Sequence, residues 1–198
     1  MREITEILVA ASDSGRVVIQ IHRPRLVERI FFLASGMIVS VPLTLFIESF
    51  TNYLCVMLPP ISSQLCSVVI IAPLVEEFAK AYPLLYRHGE TGRSIFTLGF
   101  LTGLGFGVTE FMIYTIILQV PILFRLPGLF FHAASTSIVA YGIATKRPFS
   151  FYLLAVVLHL SANLFASSPL WMGSLLVTFL AYFASWSLYG KTSERVVT

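Results

Sequence analysis

The chain has 198 residues, of which 57% are hydrophobic and 12% charged, and its formal net charge is +3. Soluble domains average about a quarter charged residues, so this composition excludes an ordinary water-soluble domain and indicates a protein of the lipid bilayer. The small positive charge reflects where the basic residues lie along a membrane protein, and we expect no nucleic-acid partner. No polar linker is long enough to divide the chain into two membrane domains.

Six apolar stretches each approach the roughly 20 residues that cross about 30 Å of hydrocarbon. A backbone in lipid must satisfy its own hydrogen bonds, so each stretch predicts a helix and the expected fold class is an all-α polytopic membrane protein. We expect a cytoplasmic arm at 1–29, a six-helix membrane domain at 30–190 and a cytoplasmic tail at 191–198. The predicted spans are Ile30–Ile47, Ser62–Leu85, Ile95–Ile117, Pro127–Ala144, Phe149–Ala166 and Leu170–Leu188.

Basic residues are concentrated on one side of these helices. Twelve of the 13 lie before the first helix, at or near the second connection, in the fourth connection or after the last helix, and only Arg125 lies on the other side. The positive-inside rule therefore predicts a multi-pass protein of the cell membrane with both termini in the cytoplasm.

Two short features admit more than one structure. The segment EILVAASDSGRVVIQI, residues 6–21, predicts either a small hairpin around Ser-Asp-Ser-Gly or an irregular arm. Cys55 and Cys66 fall toward the outer face and could pair in an oxidising space. Two cysteines define no disulfide framework, however, so we expect two buried thiols.

Four consecutive helices carry polar groups that lipid disfavours. A charge at the bilayer centre costs about 2.5–3.5 kcal/mol on insertion scales, so intramembrane carboxylates are rare and usually functional. The alternative is that helix two ends early and its charges merely mark an interface. A polar cavity lined by helices two to five accounts for the whole set, which is Glu76, Glu77 and Lys80, then Glu110, then His132, then His159 and Asn163.

Helix three also has a periodic glycine pattern. In LGFLTGLGFGVTEFMIY, Gly99, Gly103 and Gly107 recur every four residues, and Glu110 follows three residues later. All four fall on one narrow helix face, which predicts the close approach of a neighbouring helix and directs Glu110 toward it.

The polar set favours hydrolysis by an activated water. Carboxylates and imidazoles occur without a serine or cysteine in an obvious activating motif. A glutamate can take a proton from water, and a histidine can orient that water or protonate a leaving amine. His159 and Asn163, at i and i+4, can donate to an oxyanion. We therefore expect amide hydrolysis within the membrane, with no cofactor and no bound metal.

Four motifs together resemble a known family. EEFAK (76–80), FGVTE (106–110), the segment around His132 and HLSAN (159–163) resemble, in order, the motifs of PrsW-type membrane proteases, which are related to the type II CAAX prenyl endopeptidases of the Abi/CPBP group. The resemblance covers about residues 65–166.

The resemblance implies a glutamic-type intramembrane protease that cleaves a membrane-anchored protein, such as an anti-sigma factor. It implies that Glu76 is the general base, that Glu77 supports it, and that His159 and Asn163 stabilise the oxyanion. His132 fits an additional histidine of the PrsW motifs. Glu110 stands where the CAAX relatives have a histidine, and Lys80 replaces their arginine, which follows one residue later in the motif. These departures favour the PrsW branch and argue against a prenylated substrate.

Three other classes of protein use similar residues. A zinc metalloprotease would draw its ligands from separate helices, and no H-E-x-x-H motif is present. A proton-coupled transporter could use a glutamate–histidine relay, but six helices without a duplicated half do not fit the common transporter plans. A non-catalytic membrane immunity or scaffold protein could retain the same fold.

Overall fold

The structure is a computed structural model that describes residues 7–12, 15–20, 23–86 and 91–194. Two short strands, β1 (Ile7–Ser12) and β2 (Gly15–Gln20), precede the membrane domain and pair antiparallel, with Val9 opposite Val18. Of the two arrangements that the sequence leaves open, this segment therefore forms the hairpin.

In the described part of the chain, six helical spans are long and apolar enough to cross a membrane, which confirms the all-α polytopic fold class of the membrane domain. The first span is longer than predicted, and the others begin and end within a few residues of their predicted limits. The spans are span 1 (Leu26–Val56), span 2 (Pro60–Leu85), span 3 (Gly92–Ile117), span 4 (Ile122–Ala144), span 5 (Pro148–Ala166) and span 6 (Met172–Lys191).

The first three spans combine α-helix with a π-helical segment, whereas the last three are continuous α-helices. The α-helices of the first three spans are Leu26–Ser35, Val41–Thr51, Tyr53–Val56, Pro60–Gln64, Ala72–Tyr86 and Gly92–Met112. Their π-helical segments are Gly36–Ser40, Leu65–Ile71 and Ile113–Ile117. π-helical turns are frequent at functional sites, and the segment in span 2 directly precedes the paired glutamates.

Pro73 explains how span 5 attaches to span 2. At the end of the π-helical segment, the Ala72 N–H donates to the Ser67 carbonyl five residues earlier. The same spacing would pair Pro73 with the Val68 carbonyl, but proline has no N–H. The side-chain amide of Asn163, in span 5, donates to that carbonyl at 2.9 Å instead. A side chain of one span thus completes the backbone hydrogen bonding of another.

The glycine face of span 3 packs against span 4, as the sequence predicts. A Cβ at Gly103 would lie 2.2 Å from the carbonyl oxygen of His132, so only glycine permits this approach. On another side of the same helix, a Cβ at Gly105 would lie 1.9 Å from the Leu33 carbonyl of span 1. Span 3 is therefore held tightly between two neighbours, one of which carries His132.

Cys55 and Cys66 form a disulfide that joins the end of span 1 to the beginning of span 2. The expectation of two buried thiols is therefore wrong. The short connection between the two spans brings the cysteines together, and this proximity depends on how the two helices pack. Disulfides persist in oxidising compartments, so the bond supports an outward position for this connection.

Candidate active site

Glu77 is a fully buried carboxylate at which three spans meet. Its Oε1 accepts a hydrogen bond from Lys80 Nζ at 2.6 Å and another from Ser135 Oγ, in span 4, at 3.0 Å. His159 Nδ1, in span 5, lies 2.8 Å from the same oxygen. The ion pair and these hydrogen bonds offset the cost of burying the charges of Glu77 and Lys80.

Glu110 anchors the second histidine in a similar way. Its Oε2 lies 2.5 Å from His132 Nε2, and its Oε1 accepts a hydrogen bond from Arg125 Nη2 at 2.7 Å. The Arg125 guanidinium in turn lies 3.6 Å from the centre of the Tyr114 ring. A carboxylate of span 3 therefore orients the imidazole of span 4 and is itself oriented by an arginine.

Glu76, in span 2, faces both histidines. Its Oε2 lies 3.9 Å from His132 Nδ1 and 3.7 Å from His159 Nε2, and it is buried with no hydrogen-bond partner among the described residues. Each imidazole thus has one nitrogen beside an anchoring carboxylate and directs the other toward Glu76. The ligand atoms of Glu76, His132 and His159 all lie within 4.8 Å of one another.

The three groups lie at similar depth in the membrane domain. Glu76 is nine residues before Leu85, His132 twelve before Ala144 and His159 eleven after Pro148, all counted from the same side. At a rise of about 1.5 Å per residue, this places their backbones roughly 14–18 Å inside the spans. The cluster therefore lies near the middle of a hydrocarbon layer about 30 Å thick.

The structure brings most of the sequence-predicted site residues together. Glu76, Glu77, Glu110, His132, His159 and Lys80 form one connected cluster, and Lys80 pairs with Glu77 rather than with Glu76. The side-chain amide of Asn163 is instead bonded to the Val68 carbonyl. Its oxyanion role stays a prediction.

Sequence reasoning missed two functional contacts. Ser135 was visible only as a polar residue one turn after His132, and nothing in the sequence pairs it with Glu77. Arg125 had a usable signal, because it is the only basic residue on its side of the predicted membrane domain and lies next to a predicted span. An isolated cation there requires a partner, and that partner is Glu110.

Glu76, His132 and His159 are also a donor set for a divalent metal ion. Catalytic zinc sites combine three protein ligands of this kind with one water. Their histidines usually donate the other ring N–H to a carboxylate or a carbonyl, as Glu77 and Glu110 allow here. The buried Oε2 of Glu76 has no hydrogen-bond partner among the described residues, so a metal ion would satisfy it, and for this reason the three residues fit a metal site. Lys80 Nζ lies 2.9 Å from His132 Nδ1, so this contact would have to break before that nitrogen could ligate a metal.

The fold and the site together define a multi-pass membrane protein with a buried carboxylate–imidazole centre suited to hydrolysis. Residues 25–188 match the PrsW family intramembrane metalloprotease, so the chain belongs to this family and is an intramembrane protease. The match confirms the PrsW part of the resemblance, whereas the relationship to CAAX endopeptidases stays a prediction. Comparisons with curated proteins and with solved structures found no match.

Proposed function

We propose that the protein is an endopeptidase that hydrolyses a peptide bond of a membrane-anchored protein, using a water activated between Glu76, His132 and His159. The observation that carries the proposal is the buried, unpartnered Oε2 of Glu76, which faces one nitrogen of each imidazole. A membrane-anchored regulator of the anti-sigma type is the substrate class that the motif resemblance supports.

The two anchoring carboxylates set which atoms face the water. A carboxylate only accepts hydrogen bonds, so in a neutral His159 ring Nδ1 carries the proton toward Glu77 and Nε2 presents its lone pair toward Glu76. By the same reasoning, a neutral His132 donates from Nε2 to Glu110 and presents the lone pair of Nδ1. Three acceptor atoms therefore converge, of which His132 Nδ1 accepts a hydrogen bond from Lys80 Nζ, and such an arrangement favours a water, a proton or a cation among them.

In contrast to the expectation of no bound metal from the sequence, a divalent metal such as zinc would be held by Glu76, His132 and His159. When bound, it would polarise the scissile carbonyl and acidify the attacking water. With a metal bound, Lys80 would have to release His132 Nδ1, and Glu77 and Ser135 would remain as its partners. Glu77 and Glu110 hold the rings in place, as carboxylates do behind metal-bound histidines.

The metal-free glutamic mechanism is the second candidate, favoured by the contact between Lys80 Nζ and His132 Nδ1. Here Glu76 takes a proton from the water while the water oxygen bonds to the peptide carbonyl carbon. The carbon–nitrogen bond then breaks, and Glu76 delivers the proton it took from water to the leaving amine, directly or through His159 Nε2.

Comparative membrane proteomics tests the proposed activity. Cells that produce the wild type are compared with cells that produce Glu76→Gln. The control is Glu194→Gln, which makes the same change beyond the end of span 6. We expect an intact single-pass membrane protein to accumulate only with Glu76→Gln. Identical membrane proteomes in all three strains, at equal enzyme levels, would contradict the proposal.

Metal analysis of the purified protein separates the two mechanisms. We expect about one bound divalent metal per chain, lost in His159→Ala and retained in Ser161→Ala, which removes a hydroxyl that donates to the Val157 carbonyl of its own helix. A metal-free wild type that cleaves its substrate in the presence of a chelator would favour the glutamic mechanism.

A further inference from the structure

A polar cavity of about 180 Å³ lies at the face of the domain where span 1 begins and span 6 ends. Among the described residues, it is lined by Arg23, Arg29 and Arg93, together with one acid, Glu194. Tyr189 adds a hydroxyl group, whereas the Thr97 hydroxyl donates to the Arg93 carbonyl and the Ser94 hydroxyl is bonded to that of Thr91. With three cations and one anion in its wall, the cavity has the charge and the donors to hold an anionic group.

Arg93, in the wall of this cavity, is held in place by contacts with neighbouring residues. Its guanidinium lies 5.1 Å from the centre of the Tyr189 ring, and Nη2 donates to the Thr192 carbonyl at 3.3 Å. Nε lies 3.6 Å from Glu194 Oε1. These contacts attach the segment after span 6 to the beginning of span 3. Arg29 approaches from span 1, so three separate spans enclose the cavity.

An apolar cavity of about 400 Å³ adjoins the polar one. It runs between spans 3 and 6 and shares Thr97 and Tyr189 with the polar cavity. Its other walls include Phe96, Phe100, Tyr182 and Trp186. On span 6, the lining extends from Tyr189 inward to Tyr182, which at 1.5 Å per residue is about 10 Å of groove directed into the membrane.

We propose that the two adjoining cavities bind one anionic phospholipid, with its phosphate among the arginines and one acyl chain in the apolar groove. The order of polarity matches that of a lipid in its leaflet, since the charged cavity lies at the domain face and the apolar cavity follows toward the interior. Arginine binds phosphate oxygens through paired N–H donors, and basic pockets between spans on the cytoplasmic side bind anionic head groups. A free phosphate would use only the polar cavity, whereas the adjoining groove requires an acyl chain.

Native mass spectrometry on the delipidated full-length protein in detergent tests this proposal. The probes are dioleoylphosphatidylglycerol, dioleoylphosphatidylcholine and glycerol 3-phosphate. We expect one phosphatidylglycerol per chain, bound about tenfold more tightly than phosphatidylcholine, and no binding of glycerol 3-phosphate at the same concentration. Phosphatidylglycerol and phosphatidylcholine of equal affinity would overturn the proposal, and so would glycerol 3-phosphate bound as tightly as phosphatidylglycerol.

Two variants and a matched control locate the site. Arg29→Gln should weaken phosphatidylglycerol binding about fivefold, as expected for one basic residue near a lipid surface. Thr97→Phe, which fills the junction of the two cavities, should weaken it by at least as much. Lys191→Gln removes a basic residue from the same face outside both cavities and should bind as the wild type does. If folded Thr97→Phe binds phosphatidylglycerol like the wild type, the proposal is wrong, even where Arg29→Gln fails to fold.

Discussion

Glu76 and Glu77 are adjacent and chemically identical, but their surroundings differ. Glu77 is completely buried and shares one oxygen among Lys80, Ser135 and His159. The side chain of Glu76 is 12% exposed, and its Oε2 has no hydrogen-bond partner among the described residues. One glutamate therefore stabilises the cluster, while the other is available for chemistry.

Substitution should separate these two roles. Glu77→Gln leaves the Lys80 charge buried without its carboxylate and should lower the free energy of unfolding by about 3–5 kcal/mol. The double variant Glu77→Gln/Lys80→Met removes both charges and should recover most of that loss. Denaturant unfolding in detergent measures both effects. A Glu77→Gln variant as stable as the wild type would show that the ion pair does not stabilise the fold.

Glu76→Gln should behave differently from Glu77→Gln. The Glu76 carboxylate lies farther from its charged neighbours than the Glu77 carboxylate lies from Lys80. The unfolding midpoint of Glu76→Gln should therefore stay near that of the wild type, while cleavage is lost. The same unfolding measurement, combined with a cleavage assay on the identified substrate, checks this. If Glu76→Gln cleaved the substrate at nearly the wild-type rate, Glu76 would not be the general base, and Glu77 would become the candidate.

Helix packing determines whether the site forms, and the contact between spans 3 and 4 lies at the backbone of His132. Gly103→Ala places a Cβ against the carbonyl oxygen of His132. The two helices must separate, so we expect a loss of about 1–3 kcal/mol in stability and reduced cleavage. Gly128→Ala is the matched control, because among the described residues no atom outside its own stretch of helix lies within 4 Å of a Cβ at that position. Equal stability of the two variants would contradict the close packing of this face.

Asn163 tests the attachment of span 5 to span 2. Asn163→Ala leaves the Val68 carbonyl without its side-chain donor, which should cost about 1–3 kcal/mol of unfolding free energy. The cleavage rate of the folded fraction should fall much less than the hundredfold or more that follows loss of an oxyanion donor. A rate loss of about 10²–10³ with unchanged stability would instead support the oxyanion role predicted from the sequence.

At the scale of the whole molecule, the orientation in the membrane is the main prediction. Both termini should be cytoplasmic, because 12 of 13 basic residues lie on that side. In a Cys55→Ser/Cys66→Ser background, a cysteine at position 168 should react with a membrane-impermeant thiol reagent from outside intact cells, and a cysteine at position 146 should not. The opposite labelling pattern would invert the predicted topology and place the Cys55–Cys66 disulfide on the cytoplasmic side.

The amino-acid sequence alone determined the number of spans, the fold class and the helices that carry the polar groups. These properties depend on local quantities: the length of an apolar run, the cost of a charge in hydrocarbon and the 100° step between residues of a helix. The glycine face of span 3 was predictable for the same reason, because its members belong to one helix.

Only the tertiary structure decided which groups meet across helices. Lys80 can reach Glu76 or Glu77 on an ideal helix, and the positions of Ser135 and His159 determine that it bonds to Glu77. The disulfide, the bond from Asn163 to Val68 and the pairing of Arg125 with Glu110 likewise join residues 11 to 95 positions apart. Such contacts depend on the rotation and separation of whole helices, which packing sets and which no local pattern in the sequence specifies.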